Sequence, residues 1–492
     1  MILHLNHIGP GGPASPALGE RAGEVVRMLL TLVEEGRVDP RLLSGLHVHL
    51  DWIQYRGNFR APVSVRRAAD PRGAGPPLTE IALDLRRVEP ATLRDALGAA
   101  LRGVSAEPGL ESAEEVGRLY LDGWVPLRDS LIWRFNRLFW QHVADWERAV
   151  GRRFEEALPS GRSDANHPES VADSVADFWS LLRDLDKKGR LPAEVFALEI
   201  GVGSGMRAAL WLDRFRALDE ERATSYYPRL RFLLGDYSLP TLDRAMAAVA
   251  AHRDAVSVIP MDALDPFKTL AFLRYKVLYI HLTNVYDNLP HDELVRRHGR
   301  LYVVEARGYL DVADVERSAA AAGLAPAEVG PAVDRLLRIG PEALGSTERG
   351  VAFWRAVWEP LRLEERLVPL DDLAQVPLPL GLDRSHLEDL LEGAPDDVRF
   401  QVSRGAAESF VHTIPLLHPR GYLQVQDIFV TDMHEYRHGF RGPGKLDGAV
   451  VNWVNGALLR AVGARAGYDV HFAPFRYRPG SRTSILYTSP RE

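Results

Sequence analysis

The stretch Phe196-Ala-Leu-Glu-Ile-Gly-Val-Gly-Ser-Gly205 combines residue types that can hold a nucleotide-like ligand. An apolar run ends in Glu199, and Gly201, Gly203 and Gly205 follow at alternate positions. Met206 to Leu212 reads as the first turns of a helix. A strand, a tight glycine turn and a helix N-terminus form a cradle in which bare backbone approaches a ligand without colliding β-carbons. A dinucleotide fingerprint wants its third glycine at position 206, and that residue is Met. The bland alternative is a plain strand-to-helix connection.

Such a cradle works only if a sheet presents further groups along the same edge. Asp236 closes the run Arg231–Tyr237, where a carboxylate can accept hydrogen bonds from both hydroxyls of a ribose, with Tyr237 beside it. Asp262, in Pro260-Met-Asp-Ala263, can receive an adenine amino group, and Met261 can pack on the ring. Asn284 opens the polar segment after Val277–Leu282. Glu199 sits under the glycine turn, where it can fix the turn or meet an amino group of the ligand.

The elements that must position these residues alternate strand and helix from about residue 191, the mark of a parallel sheet with crossover helices. Expected strands are Val195–Ile200, Arg231–Tyr237, Val256–Pro260, Val277–Leu282 and Gly421–Phe429. A helix over Ala449–Arg465 and two final strands joined by a Pro-Gly turn follow. The fold class is α/β, a doubly wound, Rossmann-like sheet. The expected organisation is an N-terminal α+β domain (1–105), a helical connecting region (106–190), a ligand-binding core (191–310 and 411–492) and a mainly helical insertion (311–410). The aromatics Trp133, Phe135, Phe139, Trp140 and Trp146 read as packing rather than a cofactor box.

Composition narrows the function classes. The 492 residues suffice for roughly three domains. A net charge of −7 argues against a general nucleic-acid or anionic-membrane binder. No apolar run approaches the roughly 18 residues of a membrane span, and the N-terminus lacks a signal-peptide pattern. A cytoplasmic location is the default expectation. The absence of cysteine excludes disulfides, thiolate catalysis and cysteine-ligated zinc.

The Glu-x-Gly-x-Gly-x-Gly form resembles the cofactor loop of class I S-adenosylmethionine (SAM) methyltransferases. A narrower resemblance follows from Glu199–Gly205, Gly235-Asp-Tyr-Ser-Leu-Pro-Thr-Leu242 and Leu282-Thr-Asn-Val-Tyr-Asp-Asn-Leu-Pro290, which look like the MidA-like methyltransferases, including complex I assembly-factor arginine methyltransferases. Asn284, Asp287 and Pro290 match that family's element after strand four; Val285 and Asn288 depart from it. Pro419–Asp427 is similar to the family's fifth strand, and a helical insertion precedes it in both. The resemblance implies a seven-stranded methyltransferase sheet closing with a hairpin, SAM as cofactor, and a nitrogen or oxygen acceptor, possibly a protein arginine. Asp287, Asp427, His434 and His281 are candidate bases, because they belong to the loops and strand ends after strands four and five. A guanidinium acceptor favours Asp287 and Asp427. A protein or small-molecule acceptor is favoured over nucleic acid, and a homodimer is possible.

Two other readings compete. His434-Glu-Tyr-Arg-His438 satisfies the zinc-protease pattern His-Glu-x-x-His, but the segment is short, carries Arg437 and ends in Gly439-Phe-Arg-Gly442. No metal site is expected there, nor at Asp164, His167 and Glu169, which read as solvent-exposed. The third reading is a SAM-binding assembly or interaction protein without catalysis.

Overall fold

The structure is a computed structural model that describes residues 2–7, 16–52, 57–59, 63–68, 78–84, 93–98, 101, 118–158, 161–297, 299–378, 382–395, 398–437 and 442–491. The N-terminal strands β1 (Ile2–His7), β2 (Leu46–Trp52), β3 (Val63–Ala68) and β4 (Leu78–Asp84) form a sheet in the order β1-β2-β4-β3. Helix α1 (Pro16–Glu34) accompanies it, burying Val25, Leu29 and Leu32 at helical spacing.

Helices α2 (Leu131–Gln141) and α3 (Val143–Val150) follow. Phe135, Phe139 and Trp146 pack with Phe353, Trp354 and Trp358 in one core. Helix α4 (Pro168–Lys187) starts on proline, which suits the first helical turn. Its buried Val171, Val175, Phe178, Leu182 and Leu185 follow the helical repeat and cover the main sheet.

That sheet contains β5 (Val195–Ile200), β6 (Leu230–Asp236), β7 (Val256–Pro260), β8 (Val277–Thr283), β13 (Leu417–Asp427), β14 (Tyr468–Pro474) and β15 (Ser484–Pro490). Its order is β7-β6-β5-β8-β13-β15-β14. Strands β7, β6, β5, β8 and β13 pair parallel; β15 runs against both of its neighbours. Helix α5 (Met206–Glu221) follows β5, and α6 (Leu239–Ala248) follows β6. Ala197, Phe232 and Leu234 face the layer of α4 and α5, whereas Leu198, Leu233 and Ile280 face the opposite layer. This alternation is the period of two that a sheet covered on both faces requires. Each large side chain fully buried there contributes about 2 kcal/mol of transfer free energy. The strands end nearly flush: Ile200 pairs with Gly235 and Leu282, Asp236 with Pro260, and Thr283 with Gln426.

The region 311–410, expected to be mainly helical, also carries β11 (Arg362–Leu370) and β12 (Val398–Val402). With β9 (Asp292–Arg297) and β10 (Arg300–Asp311) they form an antiparallel sheet in the order β11-β10-β9-β12. The sequence gives little sign of β11 because charge pairs help hold it rather than apolar alternation. Arg307 meets Glu364 at 2.7 Å, and Arg366 meets Glu305 at 2.6 Å, across the two strands. No helix among the described residues is long and apolar enough to cross a membrane.

Candidate active site

A cavity of about 530 Å³ lies over the carboxyl ends of β5, β6, β7 and β8. Of the expected ligand-binding residues, Glu199, Gly201, Gly203, Asp236, Tyr237, Met261, Asp262 and Asn284 all line it. The glycine turn and the end of β6 are tied together directly. The Gly203 amide donates to Asp236 Oδ2 at 3.5 Å, and the Ser238 amide donates to Oδ1 at 3.1 Å. Burial pushes the Asp236 carboxyl above its usual range, and the amides of Ser238 and Gly203 oppose that shift. A β-carbon on Gly203 would meet nothing within 4 Å, so this glycine, at φ +54°, leaves its side of the turn open.

Gly205 does something else. It does not line the cavity, and a β-carbon there would come within 2.6 Å of the Ala245 Cα on α6. Its role is close packing of the turn against a helix, which corrects the expectation that it contacts ligand.

The remaining wall residues are each held. Met261 is buried, and its sulfur fills the space a β-carbon on Gly235 would need. Asp262 is exposed and accepts from the Leu264 amide at 2.9 Å. The Tyr237 hydroxyl donates to the Arg137 carbonyl at 2.9 Å, bridging the sheet edge to α2. Asn284 adopts φ +50°, a conformation uncommon for a residue with a side chain, and its amide donates to the Gln426 carbonyl at 2.9 Å.

Glu199 is committed to the interior. Its Oε2 accepts from Arg207 at 2.8 Å, and the guanidinium also donates to the Tyr279 hydroxyl at 2.6 Å. Of its two expected roles, the pair supports fixing the turn. Replacing Arg207 by Met leaves Glu199 a lone buried charge, so the unfolding free energy should fall by about 4 kcal/mol. The double change Glu199→Leu/Arg207→Met should recover more than half of that. Urea unfolding checks both; a loss below about 1 kcal/mol for the single variant contradicts a stabilising pair.

Behind the cavity, His281 is fully buried. Its Nδ1 lies 2.9 Å from Gln424 Oε1 and its Nε2 lies 2.7 Å from the Thr283 hydroxyl. Burial, with the charge of Arg207, holds the imidazole well below its usual range and therefore neutral. With Gln424 accepting from Nδ1–H, Nε2 accepts from the Thr283 hydroxyl. His281 thus reaches the cavity only through Thr283, which lines it.

The other candidate bases are placed differently. Asp427 is fully buried, and its oxygens accept from the amides of Tyr286, Asp287 and Ile428 at 2.9, 3.2 and 2.8 Å. It shapes the loop after β8 and lines no described cavity. Asp287 is buried, accepts from Asn288 Nδ2 at 2.6 Å, and lines a second cavity of about 290 Å³. His434 is exposed on a five-residue turn, Met433–Arg437, and lines neither cavity, which corrects its assignment as a base. Glu435 Oε1 accepts from the amides of Thr431 and Asp432, each at 3.3 Å, instead of facing a metal; His438 lies outside the described residues. Asp164 was expected in solvent, yet its carboxylate binds Arg478, Ser481 and Thr483.

Burial pushes the Asp427 carboxyl up to about 7, and burial beside Asp427 pushes Asp287 well above the carboxylate range. The native pair thus holds protons that the unfolded chain releases near pH 4. Its contribution to stability is full below about pH 4 and is lost as pH rises through about 7. Melting temperatures should fall between pH 5 and pH 8, and Asp287→Asn should shrink that fall. An unchanged pH profile in the variant contradicts the assignment.

The wall facing the sheet comes from α2, whose Trp133, Asn136, Arg137 and Trp140 line the cavity. Asn136 Nδ2 donates to the Asn288 carbonyl at 2.7 Å, and Trp140 Nε1 donates to Asn288 Oδ1 at 3.2 Å. The sequence pattern presents Trp133 and Trp140 as packing and does not mark Asn136 or Arg137. Their spacing of i, i+3, i+4 and i+7 defines one helix face and was the available signal. Ser204 also binds across the cavity, its hydroxyl donating to Glu155 Oε1 at 2.7 Å.

No family model matches the chain, and no curated protein matches it in sequence. Among solved structures, a COG1565 superfamily member from Burkholderia thailandensis, bound to S-adenosyl-homocysteine, is similar. It shows 12% identity and a TM-score of 0.44, with 80% of this chain and 92% of that chain covered. The CcbJ methyltransferase from Streptomyces caelestis shows 12% identity and a TM-score of 0.30, with 69% and 96% covered. Likenesses this distant assign no function, so the functional reading rests on the site itself.

Proposed function

We propose that this protein is a SAM-dependent methyltransferase acting on a nitrogen or oxygen acceptor. The observation that carries the reading is the open face of Gly203 beside the Asp236 carboxylate, on the rim of a cavity large enough for a nucleoside ligand. Bare backbone at Gly203, with space beside it, is the fit expected for an adenosyl group. The flush strand ends and the sheet order with its single reversed strand support the class I arrangement. The similarity to the MidA-like family rests on Glu199–Gly205, Gly235–Leu242 and Leu282–Pro290, with Asn284, Asp287 and Pro290 the matching positions after strand four.

In this reading Asp236 holds the ribose hydroxyls, while Met261 and Asp262 meet the adenine. The Glu199–Arg207 pair keeps the glycine turn in place. The cofactor supplies a methyl group activated on a sulfonium. The chain's part is to align the acceptor and exclude water. Trp133 and Trp140 give the cavity an apolar wall, and Thr283, backed by His281, offers a hydroxyl oxygen to an acceptor N–H or O–H. A cytoplasmic setting belongs to the same reading, as does a core of 191–310 with 411–492 served by the flanking regions.

Transfer of labelled methyl from SAM into a cell extract, sorted into protein, RNA and small molecules, tests it. The intact chain should label one fraction. Gly203→Arg should label none; equal labelling by both contradicts the site.

A further inference from the structure

Carboxylates hold two successive residues of the glycine turn. Asp236 Oδ2 accepts from the Gly203 amide at 3.5 Å, and Glu155 Oε1 accepts from the Ser204 hydroxyl at 2.7 Å. Glu155 stands on the short helical turn Phe154–Ala157, which precedes the ligand-binding core in the chain. Its other oxygen, Oε2, accepts from Asn166 Nδ2 at 3.3 Å. Glu155, Asn166 and Ser204 all line the first cavity.

We propose that Glu155 receives the α-ammonium group at the amino-acid end of the cofactor, so that the region before the core completes the cofactor site. The inference rests on the methyltransferase reading of the first cavity and on the sugar lying at Asp236.

Elimination among the carboxylates of the cavity carries the argument. Six line it: Asp129, Glu147, Glu155, Glu199, Asp236 and Asp262. Glu199 pairs with Arg207 and Glu147 with Arg244, each at 2.8 Å, and Asp129 pairs with Arg128 at 3.3 Å. Asp236 and Asp262 serve the nucleoside in the proposed reading. Glu155 remains, and its side-chain partners, Ser204 and Asn166, are neutral. A carboxylate has about four acceptor sites, of which these two donors use two. An ammonium group brings three N–H donors and the opposite charge, and such charge-assisted bonds are the strong ones. Glu155 is half-buried, so bulk water does not fully screen the pair. The sequence offered Glu199 for this amino group; with Arg207 holding Glu199, the role passes to a residue from outside the core. The competing role for Glu155 is a strut that packs the short helical turn on the glycine turn.

Calorimetry on the full chain at neutral pH separates the two, using S-adenosyl-homocysteine and its deamino analogue, which keeps the nucleoside, sulfur and carboxylate. The intact chain should bind the deamino analogue at least about tenfold more weakly, the loss of a charge-assisted contact. Glu155→Gln, which keeps an oxygen for the Ser204 hydroxyl, should weaken S-adenosyl-homocysteine by about tenfold or more. The same variant should bind the deamino analogue within about twofold of the intact chain, showing that it is folded. Equal binding of both ligands by the intact chain overturns the inference. So does unchanged S-adenosyl-homocysteine affinity in the variant, or a similar loss of both ligands, which is the result for a strut. An intact chain that takes neither ligand overturns the methyltransferase reading first, so the two failures are distinct.

Discussion

Gly203→Arg should weaken S-adenosyl-homocysteine binding at least a hundredfold by calorimetry while the chain stays folded. A β-carbon there meets nothing within 4 Å and Gly203 lines the cavity, so a long side chain is expected to compete with the ligand rather than with the protein's own packing. Its φ of +54° adds a strain of about 1 kcal/mol, small against the stability of a chain this size. Gly205→Ala is the contrasting control. There the added carbon lies 2.6 Å from the Ala245 Cα, so the variant melts earlier but keeps its ligand affinity at low temperature. If Gly203→Arg binds normally and Gly205→Ala does not, the open face of the turn has been misassigned.

The second large effect is expected at Asp236. If Asp236 holds both ribose hydroxyls, two charge-assisted hydrogen bonds amount to about 3 kcal/mol together, so Asp236→Ala should weaken S-adenosyl-homocysteine by about a hundredfold. The pH dependence has a definite sign. The ionised carboxylate is the better acceptor, and burial raises its pKa. Affinity therefore falls as pH drops through that raised value. Asp236→Asn removes the titrating group and should bind weakly with little pH dependence. Affinity that rises on acidification contradicts the role.

The strand-helix order of the core was legible because its strands are apolar on both faces and its turns carry glycine, as at Gly201 and Gly203. The edge residues Asp236, Asp262 and Asn284 could be placed because each directly follows an apolar run. Partners far away in the chain were not legible. Nothing local to Glu199 says that Arg207 will claim its carboxylate, and nothing local to Asp427 says that the amides of Tyr286 and Asp287 will. Both outcomes depend on buried polar groups finding partners once the layers close. The α2 wall was hidden for another reason. Trp133 and Trp140 line the cavity from a helix whose Phe135 and Phe139 are core, and aromatic content alone does not separate the two roles. His434 follows the fifth strand in the chain, which makes it a candidate base by position alone, but the segment folds as a short exposed turn that lines neither cavity.

A crystal structure of the chain with S-adenosyl-homocysteine tests the central claim most directly. The account predicts ribose oxygens within about 3 Å of the Asp236 carboxylate, adenine against Met261, and ligand atoms in van der Waals contact with the Gly203 backbone. Ligand bound elsewhere, or a cavity closed by Trp133 and Trp140 with the turn buried beneath them, contradicts it.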